Sequence, residues 1–177
     1  MYGATSRRPL SVDQITDSGT ATITAVIRNH ATFTGAVTSA VSVASSLSST
    51  VRATINNNVI GNVAVNGSGS SQGNGIYFTR ANSSSIFASI TNNSIRQWTN
   101  LSGIDLNAGD GTGGGLHATI TGNTLSNPAS GLFPLHGVHL NSGTTAGNNQ
   151  VNCVDLRTNT LAGSGVAANG GFDVRLR

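Results

Sequence analysis

Apolar and polar residues alternate at period two over residues 51–55, 86–90 and 116–120, which predicts strands with one buried face. The runs share their letters as well as their pattern. They continue as Ala53-Thr54-Ile55-Asn56-Asn57-Asn58-Val59-Ile60, Ala88-Ser89-Ile90-Thr91-Asn92-Asn93-Ser94-Ile95 and Ala118-Thr119-Ile120-Thr121-Gly122-Asn123-Thr124-Leu125, and Leu156-Arg157-Thr158-Asn159-Thr160-Leu161 closes the series. A second strand anchor runs out of phase with the first: Gly75-Ile76-Tyr77-Phe78, Gly103-Ile104-Asp105-Leu106, Gly137-Val138-His139-Leu140 and Gly171-Phe172-Asp173-Val174. Two interleaved anchors with a period of roughly thirty-odd residues predict a solenoid, in which each coil buries its apolar face by stacking on the next.

The expected fold is therefore all-β, a parallel β-helix of about five coils with a stacking step of roughly 4.8 Å. Equivalent residues recur in every copy, which an antiparallel sandwich has no reason to require. Residues 20–177 read as a single β-helix domain and residues 1–19 as a polar leader or capping segment. After each first-anchor strand the chain turns at Asn58, Asn93, Asn123 or Asn159. Asn suits such turns, and identical amides stacked coil on coil can bond one another, so these four are read as a structural ladder. The fourth copy, Val151-Asn152-Cys153-Val154-Asp155-Leu156, has one extra residue by this alignment. A bulge near Val154 and Asp155 is expected to absorb it, placing Cys153 in the column of Ala53, Ala88 and Ala118 as a small buried residue. Spacing between anchors varies in residues 61–74, 96–102, 126–136 and 162–170, which are rich in Gly, Ser, Asn and Pro and read as loops.

Composition supports strands over helices. The nine basic residues are all Arg and the six acids all Asp, so most straight-chain polar helix formers are missing. The net charge of +3 is spread over scattered Arg; no basic stripe tracks a phosphate backbone, and no nucleic acid is expected. No apolar run is long enough for a membrane span, and no apolar stretch follows Arg7-Arg8 as a secretory signal requires. The lone Cys153 excludes an internal disulfide framework and a cysteine-rich zinc site. Neither a metal nor a cofactor is expected. Gly109-Asp110-Gly111-Thr112-Gly113-Gly114 matches a dinucleotide glycine pattern by letter, but it leads into a strand with no helix to receive a phosphate.

The repeats resemble the right-handed parallel β-helices of large bacterial secreted and cell-surface proteins, the wider pectate-lyase-like superfamily. The resemblance covers residues 52–177, through segments such as Ala118-Thr119-Ile120-Thr121-Gly122-Asn123-Thr124-Leu125 and Gly171-Phe172-Asp173-Val174-Arg175-Leu176-Arg177. It implies a right-handed coil and an extracellular or cell-surface location, with any export signal outside this sequence. Enzymes, adhesins and passive stalks share that fold, so the resemblance carries architecture further than function. The expected role is a structural module serving as stalk, spacer or adhesive surface.

The second anchor places Tyr77, Asp105, His139 and Asp173 in one outward column, making Asp105, His139 and Asp173 the candidate catalytic groups. In the resembling polysaccharide-cleaving enzymes, carboxylates on adjacent coils supply acid and base. Opposite charges alternating across strands also relieve repulsion with no chemistry implied, and no enzymatic role is assigned from sequence. Tyr77 and Trp98 are the candidate binding residues; Trp98, with Phe133 in the corresponding loop one coil on, either presents an aromatic face to a sugar or staples its loop. Arg52, Phe87, His117 and Asn152 form the neighbouring column. Candidate partners are a surface glycan or protein, and a second copy joined head to tail through unpaired end strands.

Overall fold

A computed structural model describes residues 12–15, 19–109, 111–129, 133–143 and 147–177. Thus the leader residues 1–11 and 16–18, Asp110 and the side chain of Phe133 lie outside the described part. The chain is an all-β parallel solenoid, in which the sheets form by repetition. The first sheet contains β1 (Val12–Ile15), β3 (Val41–Ser45), β6 (Ile76–Arg80), β9 (Asn100–Asn107), β12 (Phe133–Asn141) and β14 (Val174–Leu176), in that spatial order. The second runs β2 (Thr22–Arg28), β4 (Thr50–Asn56), β7 (Ser85–Thr91), β10 (Gly115–Thr121) and β13 (Cys153–Arg157). The third holds β5 (Val59–Ile60), β8 (Ser94–Arg96) and β11 (Thr124–Ser126). Every pairing is parallel. A 3-10 turn at Ala167–Asn169 is the single helical piece among the described residues.

The coil count is about four, one fewer than expected. The third side explains the difference: the first and last circuits reach it only through isolated bridges, Phe33 to Ile60 and Thr160 to Thr124. Period-two alternation becomes columns once the strands stack in register. Ile55, Ile90 and Ile120 lie directly above one another, as do Ala53, Ala88 and Ala118. Ile76, Ile104 and Val138 line the opposite wall, and Ile60, Ile95 and Leu125 the third. All of these side chains are buried in one continuous core.

The glycine that opens each second anchor has a packing reason. A Cβ at Gly75 would meet the Ile95 side chain at 2.5 Å, and one at Gly103 would meet Leu125 at 2.8 Å and Trp98 at 3.3 Å. At Gly137 it would strike the Ser164 hydroxyl. The corner between the third and first sheets is therefore closed by core side chains pressed on bare backbone.

Asn58, Asn93, Asn123 and Asn159 stack as rungs. Each amide nitrogen donates to the next amide oxygen, at 2.9 Å from Asn58 to Asn93, 2.9 Å from Asn93 to Asn123 and 3.0 Å from Asn123 to Asn159. The same oxygens also accept the backbone N–H of the preceding rung. A second donor hydrogen on each amide reaches the carbonyl of Ile27, Ile55, Ile90 or Ile120. The left-handed backbone sits one residue earlier than the rungs, at Asn57, Asn92, Gly122 and Thr158.

The last coil departs from the sequence alignment in both sheets. Cys153 pairs with His117, Val154 with Ala118 and Leu156 with Ile120, without a register shift. No bulge is present. Val154 takes the alanine column, while Cys153 is exposed in the outward column that was assigned to Asn152. The Asn123–Asn159 rung clamps the turn, and counting back from it leaves no residue to absorb. Asn152 instead uses its side-chain oxygen to accept the Leu116 N–H at 2.9 Å. In the first sheet Val174, not Phe172, follows Val138. This two-residue displacement decides the composition of the candidate site.

Candidate functional site

On the outer face of the first sheet the stacked column reads Ser42, Tyr77, Asp105, His139 and Arg175. Asp105 and His139 are brought together as neighbours. Asp105 is 6% exposed, and its Oδ1 lies 3.3 Å from His139 Nδ1. That contact orients the imidazole, with Nδ1 turned toward the carboxylate. Tyr77 borders the pair, half-buried, and the Asn107 amide donates to its hydroxyl at 3.4 Å. An open groove of about 520 Å³ runs along these residues, with Gln72, Asn74 and Asn141 on its walls. The buried Oδ1 of Asn141 has no hydrogen-bond partner among the described residues.

Asp173 is not in this column. The register puts it in the corner position held by Gly75, Gly103 and Gly137 in the preceding coils. Its carboxylate accepts the Gly165 N–H at 2.8 Å and the Gly163 N–H at 3.3 Å, tying down the turn before β14. Arg175 occupies the outward place instead. Among the described residues no second carboxylate of the two-carboxylate glycosidase arrangement stands beside Asp105 and His139.

Trp98 is fully buried in the core, so its ring has no face to offer a sugar. Its backbone bridges Ser70 at the start of the sharp passage into β9. The expectation that residues 96–102 form a loop overlooked this: Trp98 alone anchors the segment in the core, Leu101 stays exposed, and β9 begins within it at Asn100.

Two groups were missed from sequence. His136 is 3% exposed and packs beside the pair, its ring centroid 5.1 Å from that of His139. Burial, then His139 and Arg175, hold its pKa below the ordinary value, against an opposing pull from Asp105. The signal was the G-V-x-L anchor immediately after it, which extends the strand backward over His136. Arg80 is 1% exposed, and among the described residues it donates to carbonyls: to Ala108 at 3.2 Å, to Gly113 at 3.0 Å and to Asn82. Burial lowers its pKa. A Cβ at Gly111 would collide with this guanidinium, and one at Gly109 with the Arg80 carbonyl. Gly109, Gly111 and Gly113 form the seat of a buried arginine.

The second sheet carries a different outward stack. The Arg52 guanidinium lies 4.6 Å from the centre of the Phe87 ring, and Phe87 stacks on His117 at 5.0 Å and 10°. Cys153 follows His117 in register. Mutual stacking engages the ring faces, leaving edges toward solvent. Comparison of the chain with protein families, with curated proteins and with solved structures found no match.

Proposed function

We propose that the chain is a structural β-helical repeat module of a bacterial surface or secreted protein, acting as stalk, spacer or adhesive surface outside the cell. One observation carries this reading: a buried asparagine ladder and a buried arginine tie coil to coil. The asparagine amides bond up and down the ladder, and Arg80 donates to the carbonyls of Ala108 and Gly113. Such an arrangement favours a stiff body whose loops can vary without disturbing the stack.

A second reading is carbohydrate binding or cleavage through Tyr77, Asp105 and His139. The buried carboxylate–imidazole pair in an open polar groove supports it. Binding and turnover on a broad polysaccharide panel, with the unaltered chain and with Asp105→Ala, distinguish the two. The structural reading predicts neither binding nor turnover in the groove, and identical behaviour of both proteins. Saturable binding or cleavage that Asp105→Ala lowers at least about tenfold would replace it with the second reading.

A further inference from the structure

His136 stands where β12 meets the last segment of the stack. Its Nδ1 faces the Phe172 N–H at 3.1 Å, and its Nε2 lies 3.2 Å from Arg175 Nη1. The Phe172 ring stacks on the imidazole, 6.0 Å between centres and 18° from parallel. Two donors therefore converge on one ring. A neutral imidazole has one lone pair to give, and a protonated one has none.

We infer that His136 is a pH-sensitive latch: the neutral ring holds the segment around β14 against β12, and protonation releases it. A proton on the ring removes the acceptor that serves Phe172 or Arg175 and places an imidazolium against a guanidinium. The other groups around the ring do not compensate. Asp105, on β9, is engaged with His139 at 3.3 Å, and His139 is itself a second imidazole beside the first. Asp173 has its carboxylate on the Gly163 and Gly165 amides, and the 3-10 turn packed on β12 contributes no charged group. Burial lowers the folded-state pKa below its ordinary value of 6.5, so an opened segment binds a proton more readily than a closed one. The latch is complete above that ordinary value and is lost as pH falls through the lowered one.

Amide hydrogen exchange on the full chain tests this, corrected for the intrinsic effect of pH. The N–H groups of Gly137, Val138 and Arg177 report on the junction, since they bond Phe172, Asp173 and Leu140. Between about pH 7.5 and about pH 5 their protection falls at least about tenfold, while that of β7 holds. In His136→Asn, whose amide oxygen substitutes for Nδ1 without titrating, the pH dependence disappears. Flat protection in the unaltered chain, or an unchanged fall in the Asn variant, overturns the latch. Should that variant fail to fold, the NMR titration of the His136 ring in the unaltered chain decides. Ring protonation and loss of protection must share a midpoint, and protonation with protection retained refutes the inference.

Discussion

A buried amide rung satisfies more groups than its own. Asn93 gives its oxygen to both the backbone and side-chain nitrogens of Asn58, and its own amide to Ile55 and Asn123. Asn93→Ala orphans several buried partners at once, and the predicted loss is about 3 kcal/mol of stability. Asn56, which bonds Thr91 from a half-buried position, is the control: Asn56→Ala costs less than about 1 kcal/mol. Denaturant unfolding of the two variants checks the difference, and equal losses would mean the ladder contributes nothing beyond an ordinary surface bond. The four rung positions were legible in the sequence because they recur at a fixed distance from Ile55, Ile90, Ile120 and Leu156. Their backbone was not, since an Asn-Asn pair does not say which member takes the left-handed conformation. Arg80 and His136 were hidden for a related reason: neither recurs at its position in the other coils, and a repeat reveals only what it repeats.

The strands follow from alternation, but their register follows from the turns. Alternation alone aligned Val151 with Leu116 and Phe172 with Val138; the structure puts Asn152 and Val174 at those levels. Slipping a strand by one residue exchanges its faces, which is how Cys153 came to be exposed. The shift in β14 is by two residues and preserves facing, so apolar alternation could not reveal it. It replaced an acid with Arg175 in the outward column, and one of the three groups of the expected Asp–His–Asp site was lost. The turn before Asn159 also stores strain. Thr158 holds φ 53° where the equivalent positions carry Asn57, Asn92 and Gly122. A β-branched side chain is disfavoured there, so Thr158→Gly is predicted to raise stability by about 1 kcal/mol. Thermal unfolding tests this, and a lowered midpoint would contradict the assigned turn geometry.

At the scale of the whole molecule one fact supports both the core and the candidate groove: equivalent residues lie directly above one another. The repeat itself made the parallel solenoid readable, because each coil solves the same burial problem with the same letters. Function was less readable, since a stacked column of polar side chains has the same appearance whether it binds a ligand or only lines a surface. The alanine column offers the most direct test. Adjacent coils place the methyls of Ala53 and Ala88, and of Ala88 and Ala118, one stacking step apart, while Ala53 and Ala118 are two steps or roughly 9.6 Å apart. A NOESY spectrum of the chain labelled at its alanine methyls is predicted to join Ala53 to Ala88 and Ala88 to Ala118, with no cross-peak between Ala53 and Ala118. A direct Ala53–Ala118 contact, or no contact from Ala88 to either, would contradict the in-register stack.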